Sequence, residues 1–201
     1  MTKAEDIVKD EEYQYGFHDD IQPEFYTGRG LTEEVVRRIS AEKHEPKWML
    51  DYRLKAYQIY KKMPMPDFGP DLSDLDLDDM LYYQKYTKKK YRDWDDVPDE
   101  IKETFERLGV PEAERKYLAG SGAQYESEMV YHNMKEQFDK MGIVFTDTDT
   151  ALKKYPELFK KYFGKLVKPT DNKFAALNCA VWSGGSCAKR RKSTNSNSSL
   201  L

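Results

Sequence analysis

The chain has 201 residues, a formal net charge of −3 and 34% charged side chains, yet 13% of its residues are aromatic. That length supports one large or two small domains with a core, and fifteen Tyr, nine Phe and three Trp give amphipathic surface that unstructured chains lack. The mildly acidic balance argues against nucleic acid or an anionic membrane as the overall partner. No run reaches membrane-spanning length, the opening MTKAEDIVKDEEYQYGF has no apolar signal region, and two cysteines make no disulfide framework. A cytoplasmic protein is the expectation.

Residues 1–12 are charged and expected to fray. Residues 13–30 hold aromatics without a helical or strand period and are punctuated by Gly16, Pro23, Gly28 and Gly30. An extended arm over residues 1–30 is predicted, held down by Tyr13, Tyr15, Phe17, Phe25 and Tyr26. LTEEVVRRIS predicts the first helix, with Thr32 as N-cap, Glu33 and Glu34 in the first turn, and Val35, Val36 and Ile39 as its apolar face. A second helix starts near Pro46, and Trp48, Met49, Leu50, Leu54, Tyr57 and Tyr60 recur at helical spacing. Its basic side chains are expected to face water, and PMPDFGP ends it.

DLSDLDLDDMLYY reads as a short strand or an irregular edge. A helix is predicted from Asp99 to Leu108 with Gly109 as its stop, then a short helix from Pro111. QYESEMVYHN places Tyr125, Ser127, Met129 and Tyr131 on one side of a strand. MKEQFDKMG predicts a short helix closed by Gly142, IVF a short strand, and DTDTALKKYPELFKKYFGKL two short helices divided ahead of Pro156. Phe174 to Trp182 reads as a buried strand. The fold class expected is α+β.

The candidate chemical motifs are thin. FTDTDT offers alternating carboxylates, but it lacks the central Gly and terminal Glu of a calcium loop, so helix capping by Thr148 or Asp149 accounts for it better. LYYQKYTKKKYR interleaves Tyr82, Tyr83, Tyr86 and Tyr91 with Lys85, Lys88, Lys89, Lys90 and Arg92. Single-stranded nucleic acid favours such a pattern. The flanking acidic residues, including Asp93, Asp95 and Asp96, cancel much of that field, so inward-packed tyrosines or a protein-docking patch is preferred. AGSGAQ lacks the Lys of a phosphate loop and reads as a flexible turn. His18, His44 and His132 have no metal-type spacing, and no catalytic triad can be assembled. Cys179 reads as a small hydrophobe, and Cys187 sits among Lys189, Arg190, Arg191 and Lys192, cations able to lower its pKa but without an organised site. No catalytic, cofactor-binding or metal residue is assigned, and no enzyme activity is expected.

Several long strings together resemble one family. YQYGFHDDIQPEFYTGRGLTEEVVRRIS, KHEPKWMLDYRLKAY, AGSGAQYESEMVYHNM, GIVFTDTDTALKKYPELFKKYFGKLV and PTDNKFAALNCAVWSGG are similar to the N-terminal region of the SufB family, scaffold subunits of the SUF iron–sulfur cluster assembly system. The resemblance runs from about Tyr13 to Gly185. It implies a mainly helical N-terminal α+β domain with short strands over residues 31–170, and residues 171–185 as the first strand of a right-handed parallel β-helix. It also implies SufD and SufC as partners, a cysteine desulfurase system as sulfur donor, and association of the full-length family with iron–sulfur clusters and reduced flavin. The family's cluster-building cysteine and acidic residues lie beyond the SGG segment, so none is carried onto this chain, and Cys179 stands where the family has a small residue such as Ser.

Residues 186–201 depart from the family pattern and are expected to be a disordered tail. The codons of SCAKRRKSTNSNSSLL admit a second reading: displaced by one base, NSNSSLL can encode IPIQAY, and CAKRRKST can encode V-P-(N or S)-G-V-K-V, close to the string that follows SGG in the family. A frame-changing deletion after Ser186, leaving an N-terminal fragment of a scaffold subunit, is therefore the expectation; the alternative is a non-catalytic interaction module docking through the tyrosine-rich segment or the N-terminal arm, or an inert truncated remnant. A lone β-helix coil cannot bury its apolar face, so the last strand is expected to fray, aggregate or be clipped.

Overall fold

The structure, a computed structural model, describes residues 22–87, 89, 91, 93–109, 120–125, 127–134 and 140–190. Among these residues it has six α-helices and three separate two-stranded antiparallel sheets, a mixed α+β arrangement without a closed barrel.

Strand β1 (Phe25–Tyr26) pairs with β2 (Gln84–Lys85), so the end of the predicted arm is fastened to the tyrosine-rich segment. Phe25 packs on the core, whereas Tyr26 is exposed. Tyr13, Tyr15 and Phe17 lie outside the described residues. Helix α1 (Glu33–Glu42) starts as predicted: the Thr32 hydroxyl accepts from the Val35 N–H at 3.2 Å. Val35, Val36 and Ile39 are buried. Helix α2 (Lys47–Lys62) has Pro46 at its cap position, and it buries Met49, Arg53, Ala56, Tyr57 and Tyr60. The basic face is solvated at Lys47, Lys55, Lys61 and Lys62, but Arg53 is wholly buried.

The DLSDLDLDDM stretch is irregular, with one 3₁₀ turn at Leu77–Asp79 and no strand. Helix α3 (Asp99–Arg107) stops as expected before Gly109, whose φ of +72° is open to glycine at no steric cost. The helix predicted from Pro111, and most of that predicted over MKEQFDKMG, lie outside the described residues. AGSGAQ is not a flexible turn. It contributes to β3 (Gly120–Tyr125), which pairs with β4 (Glu128–Met134). Strand β5 (Ile143–Asp147) leads directly into α4 (Thr148–Lys154) and α5 (Pro156–Tyr162). The α4 cap is Asp147 and not Thr148 or Asp149: its carboxylate accepts from the Thr150 N–H at 3.0 Å.

Two predictions at the end of the chain are corrected. Lys173–Val181 is a helix, α6, and not a strand. Asn172 caps it by accepting from the Ala175 N–H at 2.9 Å, and the buried positions Ala175, Ala176, Cys179 and Ala180 follow a helical repeat. Ser186–Arg190 is strand β6, antiparallel to β5, so the first part of the predicted disordered tail is ordered. Every strand pairing among the described residues is antiparallel, and no coil of a parallel β-helix occurs among them.

Helices α2 and α6 lie antiparallel and cap each other. Arg53 of α2 donates to the Ala180 and Trp182 carbonyls at the end of α6, at 3.0 and 2.8 Å. Lys173, at the start of α6, donates to the Tyr60 and Met63 carbonyls at the end of α2, at 3.1 and 2.9 Å. Each cation thus satisfies helix-end carbonyls that have no partner within their own helix. The main core joins α1, α2, α6 and Tyr83. A second cluster gathers Trp94, Val97, Ile101, Tyr125 and Val130, and a third gathers Met49, Ala151, Leu152, Phe159 and Trp182.

Candidate functional site

The chemistry-bearing side chains converge where these three clusters meet. Lys43, just past α1, has a side chain only 1% exposed, and its ammonium lies 2.9 Å from Glu128 Oε1, 2.9 Å from Asp149 Oδ1 and 2.7 Å from the Ser183 carbonyl. The ammonium donates hydrogen bonds to Glu128 of β4 and to the carbonyl after α6, and makes an ion-pair contact with Asp149 of α4. Tyr83 donates to the same Glu128 oxygen at 2.6 Å. Burial, then the Glu128 carboxylate, pushes the Tyr83 phenol far above its ordinary range. Beside this group, Arg53 forms a two-pronged pair with Glu45 at 2.7 and 2.6 Å, and the Trp182 ring sits 4.6 Å from the guanidinium and 5.8 Å from the Lys43 ammonium.

The charges of this hub are paired with one another inside the fold, so it locks four segments together. Asp149 is used here and Asp147 at the α4 cap, which accounts for the FTDTDT carboxylates by internal partners. Sequence reasoning missed Lys43, Arg53, Glu45 and Glu128, because a buried ion pair between residues 85 positions apart leaves no local pattern. The one signal was Arg53 standing among apolar positions of α2.

The tyrosine-rich segment faces inward. Tyr83 is buried, Tyr82 donates to the Leu77 carbonyl at 2.6 Å, and Tyr86 meets the Tyr125 ring edge-on at 5.2 Å. Tyr91 packs on the second cluster, and Lys85 pairs with Glu42 at 3.0 Å. Lys88, Lys90 and Arg92 lie outside the described residues, as do His18, Arg191 and Lys192. His44 is exposed just after α1, in a left-handed conformation.

The two thiols are apart in role and environment. Cys179 is buried in α6 and accepts from the Tyr52 hydroxyl at 3.2 Å. Burial pushes its thiol up, only partly opposed by that hydrogen bond. Cys187 is held by β6 on the wall of an open groove of about 500 Å³, lined also by Thr148, Leu158, Phe159, Tyr162 and Phe163. Here too burial dominates and raises the pKa, with Lys189 pulling the other way. The cation effect expected from sequence is present but loses. Neither thiol is activated as a nucleophile. As cluster ligands they fit poorly, since clusters ordinarily take four thiolates and this chain has two that favour the protonated form. Among the described residues no group of three or more His, Cys, Asp or Glu is placed to hold a metal ion. No described helix is long and apolar enough to cross a membrane.

Comparison with known proteins gives the context the site does not. The chain is 59% identical over 184 residues, 92% of its length, to an iron–sulfur cluster assembly SufBD family protein of Staphylococcus aureus strain USA300. It is 58% identical over the same length to a protein of that name from Staphylococcus haemolyticus. The chain spans 39% of the length of these relatives. No family model matches it.

Proposed function

We propose that this chain serves iron–sulfur cluster assembly as the N-terminal region of a SufB-type scaffold subunit, without catalysis of its own. The observation that carries the reading is 59% identity across 92% of the chain to proteins named for that process. The site agrees with it in kind: the buried charges are paired with one another, and burial raises the pKa of both thiols. In this reading cluster building, and the reduced flavin associated with the family, belong to the portion of a full-length subunit outside the matched region. SufD, SufC and the sulfur-donor desulfurase are the partners of that full-length subunit, in the cytoplasm. The codons after Ser186 are read, within this proposal, in a shifted frame, and resequencing that stretch of DNA tests that part directly.

Anaerobic reconstitution with iron and sulfide tests the rest. The chain alone is expected to hold no stable cluster, seen as the absence of visible charge-transfer absorption after desalting. A stoichiometric, chelator-resistant cluster would overturn the claim that it lacks the ligand set. Copurification with SufC and SufD then reports docking. The tyrosine-rich segment is a poor candidate for it, because Tyr82, Tyr83 and Tyr86 are engaged within the fold.

A further inference from the structure

Two described stretches carry opposite charge without neutralising each other. Residues 67–79 hold six aspartates and no lysine or arginine, and Asp79 alone among them forms an ion pair with a described residue, Arg29. This stretch leaves Phe68 66% exposed. Residues 153–168 hold six lysines and one glutamate, Glu157, which pairs with Lys160. They leave Tyr162 60%, Val167 61% and Leu166 96% exposed, the last almost free of contact.

Between this lysine-bearing segment and α2 lies a groove of about 350 Å³. Its walls include Trp48, Tyr52 and Phe163, and its edges carry Lys55, Lys160 and Lys165 together with one carboxylate, Asp51, which is paired with Lys47. The floor is fixed: Tyr52 meets Phe163 edge-on at 5.5 Å, and Lys160 lies 5.4 Å from the Trp48 ring centre. An aromatic groove whose rim carries three ammonium groups and one already paired carboxylate suits an aromatic anchor flanked by carboxylates. Asp67–Phe68 followed by Asp71 and Asp74 is such a segment, and in the protomer it does not fill the groove.

We propose that the surface formed by residues 153–168 and the Trp48–Tyr52–Phe163 groove docks the acidic segment 67–79 of a second copy of this chain, with Phe68 as the anchor. The argument is charge complementarity between two patches that every copy carries, each with exposed apolar groups to bury on contact. It stands independently of the assembly role. Because the two patches differ, the contact is head-to-tail, and it closes into a pair only if both patches engage at once. Interaction between such patches strengthens as salt is lowered.

Sedimentation velocity of the full chain tests this. The expected result is a heavier species that grows with concentration and as salt falls. K161E/K165E and D67K/D74K should each sediment as monomers, while a mixture of the two restores the heavier species, since one then supplies the acidic segment and the other the basic groove. K61E/K62E, an equal charge change elsewhere, should associate like the parent. F68A should weaken association at least about ten-fold, as loss of a central aromatic anchor does. A monomer at all salt concentrations overturns the proposal, as does association that both charge reversals leave intact. Binding to phosphatidylglycerol vesicles through the same lysines without self-association also overturns it, assigning the patch to a membrane surface.

Discussion

Lys43 donates to Glu128 and to the Ser183 carbonyl and lies 2.9 Å from Asp149 Oδ1, so its ammonium faces two carboxylates that have little access to water. Removing the ammonium leaves Glu128 and Asp149 facing each other in the interior. Loss of one partner from a buried ion pair costs about 3–5 kcal/mol, so Lys43→Met is expected to lower stability by that amount in urea unfolding followed by tryptophan fluorescence. A change below about 1 kcal/mol, the range of exposed pairs, would show that the hub is wet. Tyr83→Phe removes only the phenol that donates to Glu128 and is expected to cost about 1–3 kcal/mol.

The same burial sets a pH dependence. Cys179 and Tyr83 have folded-state pKa values raised by desolvation, so the folded state holds those protons more tightly than the unfolded chain. Their contribution to stability is intact below the unfolded value and is lost as pH rises through the folded one. The thiol begins this loss above about pH 8.5 and the phenol above about pH 10. The melting temperature should therefore fall progressively on the alkaline side, with Cys179→Ser flattening the first part of the fall. An alkaline limb identical in the two proteins would assign that part to other groups.

At the scale of elements, the local signals were the legible ones. Thr32 caps α1, Pro156 divides α4 from α5, and the IVF run is a strand, because each rests on the chemistry of a few adjacent residues. The α4 cap was displaced by one or two residues among three eligible side chains, and Asp147 takes it because its carboxylate reaches both the N–H and the hydroxyl of Thr150. Asp147→Ala is expected to cost about 1 kcal/mol and Thr148→Ala close to nothing, measured by the same unfolding assay. The reverse order would return the cap to Thr148.

The FAALNCAVW run was misread as a strand because a continuously apolar segment has no period to distinguish the two structures. Its alanines and the asparagine before Lys173 were the available signal for a helix. What those alanines permit is close approach to α2, where Arg53 and Lys173 then cap opposite helix ends. Long-range partnerships such as Lys43 with Glu128 were invisible for a different reason: they exist only once the chain is folded.

On the scale of the whole molecule, the helical placement of residues 173–181 changes what the end of the described chain does. A solitary β-helix strand would expose an unpaired edge, but α6 is packed into the main core and Trp182 is buried beneath Phe159 and Phe163. Limited proteolysis is expected to leave a resistant fragment that includes Trp182, identified by mass. Early cleavage between Lys173 and Trp182 would contradict the packing of α6 on α2.

The role proposed for this region is in iron–sulfur cluster assembly, through its structure and without chemistry of its own. A chimera tests it most directly, with the matched region of this chain replacing its counterpart in the Staphylococcus aureus relative, and cluster assembly measured in cells lacking the native protein. The account predicts that the chimera supports assembly at a level near the parent, and that Cys179→Ser and Cys187→Ser do not reduce it. A chimera that accumulates normally yet assembles no clusters would contradict it.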